Sequence, residues 1–190
     1  MTPKEEKTHI CPVWIGHILA HPLRKWMHHP EKILSKYIAP DMTVIDAGCA
    51  LGYFSFPMAR MTGRNGRVIC IDVQQKMLDK LVRRAARKGL GQYIDTHLSG
   101  SDSLNIGQYT GKVDFVLAFA VVHETGYAVK FIQELAGTLK PGGKFLVAEP
   151  SGHVKEELFQ ETLDAGKSAG LKGIDRPKIK GSLSVLWEKV

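Results

Sequence analysis

Cysteine is scarce in this chain: 190 residues hold three, Cys11, Cys49 and Cys70, and no CxxC pair. So few, so scattered and odd in number, they exclude a disulfide scaffold and fit a reducing compartment. Long apolar runs are missing too. The longest, residues 115–122, is far too short to cross a bilayer. Residues 1–7 are polar and charged, without the apolar core of a signal peptide. The expected location is the cytoplasm, with no membrane partner. There is no repeat and no low-complexity tract. Hydrophobic residues make up 44% and charged residues 24%, which excludes a disordered tail, a collagen-like chain and a coiled coil. The net charge of +7 is spread along the chain. A basic balance favours anionic partners, but the clustered Lys/Arg footprint of a nucleic-acid binder is absent.

What is present is alternation. Strand-like runs occur near residues 43–46, 67–72, 92–98, 113–120, 144–149, 171–174 and 182–188. Helix-like runs at 53–61, 74–88, 128–139 and 154–169 separate them. In the 74–88 run Met77, Leu78, Leu81, Val82 and Ala85 follow helical spacing. Lys140-Pro141-Gly142-Gly143 is a breaker, and Gly170 marks a helix end. Alternating strands and helices make βαβ units. The expected fold is α/β, a doubly wound, mostly parallel, seven-stranded Rossmann-like sheet with its ligand crevice at the strands' carboxyl ends. Residues 1–40 differ. Pro12, Pro22, Pro30 and Pro40 punctuate a stretch rich in histidine and aromatics. It reads as a helical lid over a domain of residues 41–190, with short helices near 14–19 and 31–37.

The central signal is Val44-Ile45-Asp46-Ala47-Gly48-Cys49-Ala50-Leu51-Gly52, between a strand and a helix. Glycines there allow a tight turn and close backbone approach to a ligand. The spacing is GxxxG, not the GxGxxG of dinucleotide loops, which disfavours an NAD-dependent oxidoreductase. No GxxxxGK[ST] exists, so a P-loop is excluded.

Asp46-x-Gly48-x-x-x-Gly52 resembles motif I of class I S-adenosylmethionine-dependent methyltransferases. Asp72 ends the second strand, where that family places the acid that holds the ribose hydroxyls. Gly100-Ser101-Asp102 stands at the family's adenine contact. Residues 113–118 resemble its fourth-strand motif, and Leu139-Lys140-Pro141-Gly142-Gly143 resembles the turn before strand five. The resemblance spans about residues 35–190. It departs at Ala50, where the family commonly has a third glycine. Pro57, early in the following helix, is expected to bend its first turn.

The resemblance implies an enzyme with S-adenosyl-L-methionine as cofactor, held by Asp46, Gly48, Gly52, Asp72, Val73, Gln74, Ser101, Asp102, Ala118 and Phe119. It implies methyl transfer to an acceptor. The lid and the lack of a separate nucleic-acid-binding domain suit a small molecule, such as a thiol, metalloid or aromatic compound. His123 and Glu124, at the end of strand four, are candidates for acid–base or substrate contact. Glu149, ending strand five, either faces substrate or caps the next helix. Cys11 is a candidate thiol for a soft substrate or plain packing. Beyond His17 and His21, an i, i+4 pair, no tight Cys or His pairing supports a closed zinc site, so no metal is expected. Cys49 and Cys70 read as core. Two alternatives stay open. One is a minimal RNA methyltransferase using Arg83, Arg84, Arg87 and Lys88, or Lys178 and Lys180. The other is a non-catalytic cofactor-binding partner subunit. A monomer or homodimer is expected.

Overall fold

The structure, a computed structural model, describes residues 28–190. Cys11, His17, His21 and the expected helix near 14–19 lie outside the described residues. The elements are α1 (Pro30–Leu34), β1 (Thr43–Ala47), α2 (Ser55–Thr62), β2 (Arg67–Asp72), α3 (Gln75–Arg87), β3 (Ile94–Leu98), β4 (Val113–Phe119), α4 (Ala128–Thr138), β5 (Leu139–Pro150), α5 (Glu156–Ser168), β6 (Leu171–Asp175) and β7 (Ser182–Lys189).

The strands form one sheet in the order β3-β2-β1-β4-β5-β7-β6. β1 to β5 pair in parallel, while β7 runs antiparallel to both β5 and β6. The chain leaves β1 toward β2 on one side and returns to β4 on the other. That reversal opens a crevice beyond the carboxyl ends of β1 and β4.

Strands buried on both faces have side chains that alternate between two cores. Val44, Phe115, Leu117 and Leu146 join Leu34, Met58, Leu78 and Leu81 on one face. Ile45, Val116, Phe145 and Val147 join Ile132, Leu135 and Phe159 on the other. Each such side chain, fully buried, contributes about 1.5–3 kcal/mol. The described end of the expected lid belongs to the first core. Leu34 and Ile38 are buried in it, and the Tyr37 ring lies nearly parallel to Phe115, 5.8 Å away.

Local departures from the sequence reading have physical causes. Val82 is exposed, because the buried stripe of α3 is Met77, Leu78, Leu81 and Ala85. Residues 91–93 form a 3₁₀ turn, so the third strand starts at Ile94. The breaker at 140–143 lies inside β5: Leu139 pairs with Val113, the next four residues loop out, and pairing resumes at Lys144 with Phe115. Pro57 is the third residue of α2, where backbone N–H groups have no partner within the helix.

Two helical glycines generate opposite expectations. A Cβ on Gly166 would lie 2.5 Å from Trp187 Cζ2, whereas one on Gly137 would meet nothing within 4 Å. Gly166→Ala is therefore expected to cost about 1–3 kcal/mol. Gly137→Ala is expected to gain about 0.5–1 kcal/mol from helix entropy. Thermal denaturation reads these as a fall and a rise of Tm, about 2–4 °C per kcal/mol at this size.

Candidate active site

The site begins where β1 ends. Asp46 is buried in this central strand, and its Oδ2 accepts the Ser55 hydroxyl at 2.5 Å, tying β1 to α2. The chain then turns. The N–H groups of Gly48 and Cys49 both donate to the Ile71 carbonyl, at 2.9 and 3.0 Å, which fastens the loop to the end of β2. Gly48 has φ +74°, and a Cβ there would come within 2.6 Å of Val121 Cγ2. Only glycine meets both conditions. Gly52 has φ +81°, and its Cβ would lie 2.7 Å from the Phe56 ring. Ala50 holds the left-handed conformation at φ +45°, which costs an L-residue roughly 1–2 kcal/mol. The alanine therefore keeps a turn that suits glycine. Its N–H donates to Asp72 Oδ2 at 3.0 Å.

Asp72 closes β2. Its Oδ1 accepts the Gln74 N–H at 2.8 Å. Burial raises the pKa of its carboxyl above the ordinary value, and the backbone N–H groups offset only part of that rise.

Beyond β4 the chain enters a short 3₁₀ turn, Val122–Glu124. Ala120 is left-handed at φ +55°, and its N–H donates to the Ala148 carbonyl at 2.7 Å. The next three N–H groups go to Glu149, which is 1% exposed. Val121 and Val122 donate to Oε1 at 3.0 and 3.1 Å, and His123 to Oε2 at 3.0 Å. The His123 imidazole adds a bond from Nδ1 at 2.5 Å. A carboxylate this deep is tolerated because it is hydrogen-bonded. The bond to Glu149 raises the His123 pKa above its ordinary value, against the effect of burial.

These loops enclose a cleft of about 1290 Å³, counting its open mouth. Of the expected residues, Asp46, Gly48, Asp72, Val73, Gln74, Ser101, Phe119 and Glu124 line it. Four others do not. Gly52 turns over the Phe56 ring. Asp102 is exposed, and Ser99 and Gly100 form that wall with Ser101. Ala118 is buried in the core under α4. The His123 imidazole is bonded to Glu149 and stands outside the cleft wall. Glu149 stands outside the cleft wall as well; its carboxylate caps the turn after β4. Cys11 lies outside the described residues. The sheet ends thus gather the loop glycine, the Asp72 acid and Glu124, while His123 sits behind them.

Of an aromatic wall, the sequence reading gave only Phe119. Tyr53, Phe54, Phe119 and Tyr127 line the cleft, and the rings of Phe54 and Phe119 lie 4.6 Å apart. Tyr53 and Phe54 read as helix, but α2 starts only at Ser55, which leaves both in the turn. The Tyr53 hydroxyl donates to the His28 carbonyl at 2.6 Å, and the His28 ring packs edge-on against Phe119. Cys49 also lines the cleft, with its thiol pushed well up by burial. Glu124 is raised chiefly by burial. Among the described residues, no Lys, Arg or His lines the cleft.

His123 makes the turn's stability depend on pH. Its folded pKa is raised, so its contribution is complete below the ordinary value of about 6.5 and is lost as pH rises through the raised value. The expected result is a Tm difference between wild type and His123→Ala that is largest in mild acid and shrinks toward alkaline pH. A difference that grows with pH contradicts the assignment.

Comparison with known proteins agrees with this arrangement. A family model described as a methyltransferase domain matches residues 38–178. The chain is 25% identical over 141 residues to protein-L-isoaspartate O-methyltransferase 2 of Arabidopsis thaliana, covering 74% of this chain and 43% of the relative. It is 32% identical over 107 residues to the ubiquinone biosynthesis O-methyltransferase of Caulobacter vibrioides, covering 56% of this chain and 40% of that one. The chain spans about half the length of the curated relatives it matches. The crystal structure of a SAM-dependent methyltransferase from Aquifex aeolicus shares the fold, with a TM-score of 0.84 at 22% identity over 95% of this chain and 100% of that one. With the family model spanning most of its length and the motif I loop, the β2 acid and the sheet order in place, the chain belongs to the class I S-adenosylmethionine-dependent methyltransferase family.

Proposed function

We propose that this chain transfers a methyl group from S-adenosylmethionine to a small acceptor that is uncharged or cationic. The observation that carries the reading is Asp72. It stands at the end of β2 beside the glycine loop, with one carboxylate oxygen turned to each of two backbone N–H groups. A carboxylate has about four lone-pair directions, so capacity remains for a pair of ribose hydroxyls. The cradle at Gly48, which any Cβ would fill, supports a ligand pressed against the loop backbone. Ser99, Gly100 and Ser101, with Met77 and Leu104, form a half-polar, half-apolar wall suited to a purine.

When bound, the cofactor supplies an electrophilic methyl group on a sulfonium. The chain's own part is position and exclusion of water. The aromatic wall and the buried strand ends keep water from the reacting atoms. Glu124 lines the cleft and is the group placed to hold an acceptor proton, which an acceptor hydroxyl would require. His123 acts through the turn that carries Glu124.

The charge of the wall supports the acceptor class. Asp46, Asp72 and Glu124 line the cleft and no described cation does, so the described wall offers an RNA phosphate no counter-charge. That weighs against an RNA acceptor. Arg84 and Lys88 lie over the Phe56 ring, 5.6 and 5.8 Å from its centroid, outside the cleft wall.

Calorimetric titration tests the reading. S-adenosylmethionine and S-adenosylhomocysteine are expected to bind at micromolar strength, roughly −8 kcal/mol, and NADH not at all. Asp72→Ala, checked against the closer isostere Asp72→Asn, removes two charged hydrogen bonds, about 3 kcal/mol together, and weakens binding ~100-fold. Binding of NADH in their place, or an Asp72→Ala variant as tight as wild type, contradicts the proposal.

A further inference from the structure

We infer that Glu149 is a positioning residue for the reaction, one that sets the β4 wall of the cleft and, through Val121, the glycine loop facing it. The inference rests on the methyltransferase reading above. It goes beyond that reading in giving a role to a residue that never reaches the cleft.

Beyond Ala120, whose N–H still bonds to β5, the three consecutive N–H groups of Val121 to His123 leave β4 without backbone partners. Two consecutive residues of β5 take all four: the Ala148 carbonyl accepts that of Ala120 and the Glu149 carboxylate the other three. This grip holds the stretch in a conformation it would not choose, since Ala120 is left-handed. The side chains so placed form one wall of the cleft. Ala120, Val121, Glu124 and Thr125 all line the cleft. Val121 also presses on the loop opposite, its methyl group lying 2.6 Å from where a Gly48 Cβ would be. Gly48 in turn is fastened to β2 beside Asp72. A shift at Glu149 therefore moves the acceptor wall and the donor loop together.

Nothing in this role involves proton transfer by Glu149, which is buried away from the cleft with both oxygens engaged. The imidazole of His123 completes the grip on Oε2. A glutamine at 149 would present an NH₂ to a fan of donors, so at least one bond must break.

Hydrogen exchange and calorimetry on the full chain test this. In Glu149→Gln, amides of residues 120–125 and also 47–51 are expected to exchange roughly tenfold faster, with S-adenosylhomocysteine affinity falling roughly tenfold. Residues 182–189 on β7 should not change. His123→Gln, which removes one bond of the grip, should give the same pattern at smaller amplitude and decides the matter if Glu149→Gln does not fold. Faster exchange confined to residues 120–125, with the loop and the affinity unchanged, overturns the inference and leaves Glu149 a local brace. Absence of S-adenosylhomocysteine binding by wild type defeats the methyltransferase reading instead, and exchange at residues 47–51 then decides this inference alone.

Discussion

Backbone N–H groups that leave a buried strand must find acceptors, and in this protein one carboxylate meets most of that demand. Glu149 gathers the N–H groups of Val121, Val122 and His123, and its neighbour Ala148 takes that of Ala120. The chain beyond β4 is thereby held over the crevice instead of wandering into it. The rest of the site depends on this. Val121 stands against Gly48, Gly48 and Cys49 are bonded to the end of β2, and Asp72 at that end receives the N–H of Ala50. Three loops from three parallel strands become one surface with no covalent link between them.

The surface stores strain. Ala50 and Ala120 both adopt left-handed backbone, and both line the cleft. Each sits where a hydrogen bond from its own N–H, to Asp72 and to Ala148, holds it. Strain of this kind persists only where surrounding contacts over-determine the conformation. Charge is arranged as sharply. A protein of net charge +7 faces its cleft with Asp46, Asp72 and Glu124 and with no described basic side chain. Such a cleft favours positive or neutral ligands over phosphates.

The fold was legible in the sequence because strand and helix periods differ and because breakers mark the ends of elements. Continuous apolar runs at β4 and β5, helical spacing in α3 and the strand-turn-helix around Gly48 each carry a local signature. Asp46, Gly48 and Asp72 were legible through the resemblance to the family's motif I and second-strand acid, which lie within one βαβ unit. His123 and Glu149 were not. The partner of His123 lies 26 residues away on a neighbouring strand, and no periodicity reports which way a side chain turns once a strand has ended. Asp102 stands one residue beyond the cleft wall. The wall after β3 is made by Ser99, Gly100 and Ser101, a shift too small for spacing to resolve. Tyr53 and Phe54 were hidden by a helix boundary that differs by two residues from the one the pattern suggests.

The central claim is that one cleft at the ends of β1, β2 and β4 holds the donor while Glu149 holds the cleft. A crystal structure with S-adenosylhomocysteine bound tests it most directly. The account predicts the ribose hydroxyls on the Asp72 carboxylate, the thioether end against the Gly48 loop, and Glu149 still bonded to the N–H groups of residues 121–123. Density for the ligand elsewhere, or a Glu149 side chain turned into the cleft to meet it, would contradict the account.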